Sequence, residues 1–213
     1  MKRSLFLLAI ICISIATFAQ QSHRDTIRNN YKKEFLLNPF SFFVGGFEVG
    51  YGSINAKQHN RRLFAGYYYS ENPGFYNDES SFNSIDFTYK NMEGFRLEGQ
   101  YLFMKPTDGG LRFYGGGYAV FKTIKMDVTK VDRRSSTNTQ TINYNARAVS
   151  GSVGILAGAR NYVMDNLFVD LYIGGGITIP FSSSSIDDVH LEILNPYKRS
   201  INPRAGITFG LAF

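Results

Sequence analysis

The sequence of 213 residues has no tryptophan, one cysteine, six prolines and three histidines. Cys12 lies in an N-terminal segment that we expect to be removed, so the mature chain has no disulfide, no cysteine nucleophile and no cysteine-ligated metal. Charged residues make up only 19%, while 19 Phe and 14 Tyr are present, which argues against disorder. The 21 glycines have no fixed period, which excludes a collagen-like chain.

The N-terminus has the pattern of a secretory signal peptide. Lys2 and Arg3 precede an apolar run from Leu5 to Ile15, and Thr17-Phe18-Ala19 follows. The run is shorter than the roughly 20 residues of a membrane-spanning helix. We predict export and cleavage after Ala19, with an uncleaved anchor as the alternative. Loss of Lys2 and Arg3 lowers the formal net charge from +6 to +4.

After Ala19 no apolar run is long enough to predict a transmembrane helix; instead, stretches of about ten residues alternate between apolar and small or polar residues. In the C-terminal stretch Phe209, Leu211 and Phe213 alternate with Gly210 and Ala212. Successive strand side chains point to opposite faces, so each stretch predicts a strand with one apolar face. Seven strands are predicted, at 46–54, 62–70, 94–103, 111–122, 147–161, 167–179 and 204–213, and the facing of 62–70 stays ambiguous.

The connections between these stretches predict an eighth strand and a closed topology. Short gaps alternate strictly with long polar gaps at 71–91, 123–146 and 180–203. Short periplasmic turns and longer outer loops are typical of transmembrane barrels. The count then requires a strand before Gly46, which we assign to 34–43 although Pro39 suits an edge or bulge.

The predicted fold class is therefore all-β, an eight-stranded antiparallel up-and-down transmembrane β-barrel. The predicted organisation is a signal peptide over 1–19, a flexible periplasmic lead-in over 20–33 and the barrel over 34–213.

The character of the non-apolar face decides between a membrane barrel and a soluble one. A lipocalin-like barrel exposes its polar face to water, but here that face is rich in glycine and carries charges of both signs. The lumen of an eight-stranded barrel has room for side chains and little else, and buried charges there must pair. We predict a lumen charge network of Glu48, Arg96, Glu98, Arg112, Arg160, Asp170 and Arg204. The candidate partners of Asp170 are Arg96, Arg160 and Arg204.

The terminal segment Pro203-Arg204-Ala205-Gly206-Ile207-Thr208-Phe209-Gly210-Leu211-Ala212-Phe213 and the signal peptide resemble small outer-membrane β-barrel proteins of Gram-negative bacteria, of the eight-stranded OmpA and OmpX type. The opening Asn38-Pro39-Phe40-Ser41 and Gly46-Phe47-Glu48-Val49-Gly50-Tyr51 are similar to uncharacterised barrels common in Bacteroidota. The resemblance implies that Phe209, Leu211 and Phe213 form the signal read by the barrel-assembly machinery.

Candidate chemistry is sparse, and we predict no catalytic residue, cofactor or metal. His190 has Ser182 to Ser185, Asp187, Asp188 and Glu192 as sequence neighbours, which leaves a Ser-His-acid hydrolase or a cation site open. His23 and His59 lack an evident partner. Gly115 to Gly117 and Gly174 to Gly176 are not followed by Lys-Ser/Thr, so no phosphate loop is predicted. Lys130, Arg133 and Arg134 form a basic patch that a solvated loop explains more simply than contact with lipopolysaccharide phosphates.

The leading functional hypothesis is a monomeric outer-membrane barrel with a filled lumen, which has a structural or surface-interaction role and displays the three long loops. Its expected partners are outer-membrane lipid and the barrel-assembly machinery, and not nucleic acid. The alternative is a lipid-modifying hydrolase or acyltransferase that uses loop residues such as Ser184 and His190. A narrow pore is disfavoured, because eight strands leave no open channel.

Overall fold

The computed structural model describes residues 32–39, 41, 46–71, 85–106, 111–132, 140–184 and 200–213. These residues form one closed barrel of eight antiparallel strands in chain order. The strands are β1 (Lys33–Leu37), β2 (Gly46–Ile54), β3 (His59–Ser70), β4 (Ile85–Pro106), β5 (Leu111–Asp132), β6 (Gln140–Tyr162), β7 (Leu167–Ser184) and β8 (Ser200–Ala212). The predicted all-β, eight-stranded, up-and-down antiparallel barrel is confirmed.

Pairing of the first strand with the last closes the barrel. Leu36 is opposite Gly210, and Leu37 is opposite Phe209. The main-chain N–H of Lys33 donates to the carbonyl oxygen of Phe213 at 3.0 Å, and the N–H of Phe213 donates to that of Lys33 at 2.9 Å. The ladder between β1 and β8 leaves neither strand as an open sheet edge over these residues.

β1 is shorter than the predicted strand 34–43. It ends at Leu37, and the N–H of Asn38 makes the next hydrogen bond, to the carbonyl oxygen of Glu48 at 3.0 Å. Pro39 then lies in a turn, because proline has no N–H to donate to a ladder.

The three predicted long loops are wrong at their ends, because strands extend into them. Residues 85–91, 123–132, 140–146, 180–184 and 200–203 belong to β4 to β8, which leaves 71–84, 133–139 and 185–199 as the connections. After Lys122 the polarity of the two faces of β5 is reversed. Ile124, Met126 and Val128 are buried, whereas the polar residues between them are more exposed. We did not predict these extensions, because we expected the apolar residues of each strand to point outward along its whole length.

Side-chain direction follows residue number through most of the barrel. Even-numbered residues point into the lumen and odd-numbered residues point outward, as the burial patterns of β2 and β3 show. The ladder shifts at two bulges, one near Asn91 in β4 and one near Pro180 in β7. Asn91 has a φ of 51°, a left-handed conformation that asparagine tolerates better than most residues. Among the described residues, no helix is long and apolar enough to cross a membrane.

Candidate functional site

Four charged side chains form a closed ring in the lumen, which we call the ion ring: Glu34, Arg62, Asp170 and Arg160. Arg62 Nε lies 2.7 Å from Glu34 Oε1, and Arg62 Nη2 lies 2.5 Å from Asp170 Oδ2. Arg160 completes the cycle, with Nε 2.8 Å from Asp170 Oδ1 and Nη2 2.7 Å from Glu34 Oε2. Each carboxylate therefore contacts both guanidinium groups. The four side chains come from β1, β3, β6 and β7, and each is at most 2% exposed.

Aromatic and amide groups enclose the ion ring. The Arg160 guanidinium lies 3.6 Å from the centroid of the Phe168 ring, a cation–π contact. Asn60 donates from Nδ2 to Glu34 Oε1 at 2.8 Å, and the Arg62 guanidinium lies 5.3 Å from the Tyr114 ring centroid. Two positive and two negative charges cancel within the ring, as stability in a low dielectric requires. Each of the four groups makes at least one hydrogen bond, but Glu34 Oε2 and Arg160 Nη1 have no hydrogen-bond partner among the described residues.

A second group of four, the ion chain, consists of Glu48, Arg96, Glu98 and Arg204. Arg96 contacts Glu98 and lies 3.4 Å from Glu48 through Nε, while Arg204 Nη1 lies 2.5 Å from Glu98 Oε1. The carboxylates are at most 2% exposed, but the side chains of Arg96 and Arg204 are 20% and 15% exposed. The ion chain is also neutral, but solvent reaches its cations, unlike those of the ion ring.

Polar and aromatic side chains complete the ion chain. Asn38 Nδ2 donates to Glu48 Oε2 and Gln100 Nε2 donates to Glu98 Oε1, both at 2.7 Å. The Arg204 guanidinium lies between two tyrosine rings, 4.9 Å from the centroid of Tyr118 and 5.1 Å from that of Tyr172.

Inward-facing glycines make space for the large lumen side chains. A Cβ atom at Gly158 would lie 2.5 Å from the Tyr114 ring, and one at Gly50 would lie 2.6 Å from the ring of Phe64. Most of these glycines face aromatic rings, whereas Gly52 faces Glu34 and Gly66 faces both Glu48 and Tyr68.

All seven predicted lumen residues point inward, but they do not form one network. Glu48, Arg96, Glu98 and Arg204 lie in the ion chain, and Arg160 and Asp170 lie in the ion ring. Arg112 belongs to neither group of four, and its guanidinium lies 5.3 Å from the Tyr162 ring centroid. Of the three candidate partners of Asp170, only Arg160 contacts it.

Sequence reasoning missed Glu34 and Arg62, which are half of the ion ring. Glu34 is in the predicted strand 34–43, whose facing Pro39 obscured, and Arg62 begins the stretch 62–70, where consecutive tyrosines left the facing ambiguous. In the neighbouring strands the residues predicted to face inward have even numbers. The same rule, applied to Glu34 and Arg62, would have placed both side chains inward.

The outer face of the barrel carries an apolar belt. Past the ion chain, towards the long connections, the outward-facing residues become polar and the belt ends. On β6 the outward residues Val153 and Ile155 are 57% and 75% exposed, whereas Asn143, Asn145 and Arg147 follow on the same face higher up. The belt is edged by exposed aromatic residues: Phe35, Tyr51, Tyr101, Phe103 and Phe113 towards the short turns, and Tyr67, Tyr69, Phe95, Phe121 and Phe181 towards the long connections.

The proposed assembly residues lie on the outer face of β8 and at its end. Phe209, Leu211 and Phe213 are 36%, 44% and 56% exposed, in the alternation that the sequence indicates. Their recognition by the assembly machinery remains a prediction.

Most of the residues that kept an enzyme or a cation site open, namely Ser185, Asp187, Asp188, His190 and Glu192, lie outside the described part of the chain. Ser182, Ser183 and Ser184 are described and belong to β7, so Ser184 is a strand residue and not the loop residue that we expected. His23, Arg133 and Arg134 of the basic patch, and the signal peptide also lie outside the described residues. His59 is described, and its Nδ1 lies 2.8 Å from the Tyr101 hydroxyl. Within the described ranges, no group of three or more His, Cys, Asp or Glu side chains is placed to hold a metal ion.

No protein-family model and no curated protein matches this chain. The structure is similar to the crystal structure of a major outer membrane protein from Thermus thermophilus, with 15% sequence identity, coverage of 85% of this chain and 99% of that chain, and a TM-score of 0.41. The closure into eight strands is established by the ladders of this chain and does not depend on that similarity.

Proposed function

We propose that this chain is an integral outer-membrane β-barrel whose lumen is filled by side chains and whose role is structural or in surface interaction. One observation carries the proposal: a single alternation points an apolar belt outward and points ion pairs into the lumen. In water that arrangement would expose a very large apolar surface, which is unfavourable. In a bilayer the same arrangement is the expected one.

The height of the apolar belt supports a membrane-spanning position. On β5 the outward face is apolar or glycine from Leu111 to Phe121, and it becomes polar at Thr123 and Lys125. Ten residues of strand extend about 33 Å, which at a tilt of roughly 40° covers about 25 Å along the membrane normal. That height matches the apolar band of known outer-membrane barrels.

The packing of the lumen supports a filled barrel rather than a pore. The ion ring spans the lumen between β1, β3, β6 and β7, and the rings of Phe168 and Tyr162 pack beside it at less than 2% exposure. We therefore propose no channel function. We also propose no catalytic role and no cofactor.

The strand extensions support a role in which one end of the barrel displays its three long connections. β4, β5 and β6 continue past the belt, and on β5 and β6 mainly polar residues point outward and apolar residues inward, as in a strand pair in water. These strands carry the connections 71–84 and 133–139, and β7 and β8 carry 185–199. We propose that these three segments face the cell exterior and that the chain is exported through a cleaved signal peptide, inserted by the assembly machinery and monomeric in outer-membrane lipid.

Three measurements test this function. The barrel should require detergent for extraction, should migrate faster on a gel before boiling than after, and should give near-zero conductance in planar bilayers. Solubility without detergent would overturn the membrane assignment, and steady conductance would overturn the filled lumen. His190→Ala should leave the lipid profile of the host envelope unchanged; an altered profile would favour the hydrolase or acyltransferase instead.

A further inference from the structure

We propose that the outer face of the barrel at its short-turn end carries a binding site for the phosphate of an anionic phospholipid headgroup, formed by Lys33, Ser53 and Arg61. This inference rests on the membrane position proposed above and goes beyond it, because it names a lipid class and the residues that select it. We call these three residues the basic row.

The strand register brings the basic row together. Lys33 on β1 is opposite Ser53 on β2, and Ser53 is opposite Arg61 on β3. All three side chains point outward and are exposed. Strands lie about 4.8 Å apart, so the two cations flank the serine across roughly 10 Å. Both long side chains can therefore reach a phosphate placed over the Ser53 hydroxyl, which would donate a third hydrogen bond.

The basic row lies at the level where lipid phosphates sit. The next outward residue towards the membrane centre on each strand is apolar or aromatic: Phe35 on β1, Tyr51 on β2 and Leu63 on β3, which are 49%, 48% and 55% exposed. A lipid whose acyl chains cover these three side chains would bring its phosphate to the basic row.

Aromatic contacts hold one cation of the basic row in place. The Arg61 guanidinium lies 5.8 Å from the centroid of the Tyr101 ring, which is the residue opposite it on β4. The Tyr101 hydroxyl is in turn 2.8 Å from His59 Nδ1, and its ring makes an edge contact with Phe103 at 5.3 Å. Because the ring is fixed, the guanidinium loses less freedom when it binds a phosphate.

The charged side chains around the basic row are cationic. Lys32, Lys57 and Lys105 are also exposed at this end, beside β1, in the β2–β3 turn and on β4. Among the described residues the exposed acid at this end is Asp165, which lies in the turn between β6 and β7, on the opposite side of the barrel. Neither Lys33 nor Arg61 forms an ion pair with a described Asp or Glu side chain; the main-chain N–H of Lys33 donates to the main-chain oxygen of Phe213 at 3.0 Å.

The other edge of the apolar belt provides a contrast within the same molecule. There Glu93 is opposite Lys125, and Lys125 is opposite Arg147, so an acid lies in the row itself. The row at that edge contains a Glu side chain, whereas the basic row contains no acidic side chain. The pair Lys125 and Arg147 is therefore a matched control for Lys33 and Arg61.

The test uses native mass spectrometry of the full barrel, released from detergent micelles that contain equal amounts of phosphatidylglycerol and phosphatidylcholine. We expect the barrel without substitutions to retain phosphatidylglycerol in preference to phosphatidylcholine. Lys33→Gln with Arg61→Gln should lower that retention by on the order of tenfold, because this variant loses two cations that attract the anionic headgroup. Lys125→Gln with Arg147→Gln removes the same charge and should leave the preference within about twofold. Heat-modifiable gel mobility checks that both variants fold.

Several outcomes would overturn the inference. Equal loss in both double variants would mean that total charge, not this site, attracts the lipid. Displacement of the lipid by inorganic phosphate at the same concentration would assign the site to free phosphate. A folded barrel that needs detergent but retains both lipids equally would overturn the site while leaving the membrane assignment intact. A barrel that stays soluble without detergent and retains no lipid would overturn both.

Discussion

Asp170 and Arg160 are directly opposite each other on β7 and β6, and Arg160 Nε donates to Asp170 Oδ1 at 2.8 Å. The second oxygen of Asp170 lies 2.5 Å from Arg62, which is 108 residues away in the chain. One carboxylate thus joins a local cross-strand pair to a contact across the lumen.

Removal of this carboxylate should strongly destabilise the barrel. Asp170→Leu leaves Arg62 and Arg160 with Glu34 as their remaining partner in the ion ring, and loss of one member of a buried ion pair costs about 3–5 kcal/mol. The exposed Asp165 in the adjoining turn provides the control, and Asp165→Leu should cost under about 1 kcal/mol. The free energy of unfolding is measured by urea titration in detergent with gel mobility as the readout. Unchanged stability of Asp170→Leu would contradict the structural role of the ion ring.

The ion ring and the ion chain should behave as separate energetic units. A double-mutant cycle on Glu98 and Arg204, which lie 2.5 Å apart, should give a coupling energy of roughly 0.5–3 kcal/mol. A cycle on Glu98 and Arg160, which are in different groups, should give a value within about 0.5 kcal/mol of zero. Equal coupling in both cycles would show that the lumen charges form one network, as the sequence led us to expect.

The lumen glycines should tolerate no side chain where they face an immobile ring. Phe168 is fully buried beneath Arg160, so the Cβ of Gly210→Ala would collide with a ring that cannot move aside. We expect a loss of about 1–3 kcal/mol, which Phe168→Leu should partly restore. Gly99→Ala is the control, since a Cβ there meets no atom within 4 Å, and its effect should stay within about 0.5 kcal/mol.

The cost of a charge on the outer face should depend on its height along one strand. Ile155→Arg, in the middle of the apolar belt on β6, should destabilise the barrel in lipid by about 2–4 kcal/mol. Asn145→Arg, on the same face but above the belt, should cost no more than about 1 kcal/mol. Unfolding titrations in phospholipid vesicles measure both free energies. Equal costs at the two heights would argue against a membrane around the belt.

The extent of the strands and the composition of the charge groups were beyond sequence reasoning for different reasons. The extension of β5 keeps its alternation, but Ile124 and Met126 point inward where Phe121 points outward, so a search for one apolar face ends too early. Glu34 was missed because a five-residue strand next to Pro39 offers too few positions to define a period.

The sequence by itself determined the number of strands, their antiparallel order and the face on which Arg96, Glu98, Arg160 and Asp170 lie, because alternation is a local property of extended backbone. Only the tertiary structure decided that Asp170 meets Arg62 rather than Arg204, and that Glu34 joins the ring. Those contacts depend on the stagger between strands when β1 meets β8, and that stagger is a property of the whole closed sheet that no single strand encodes.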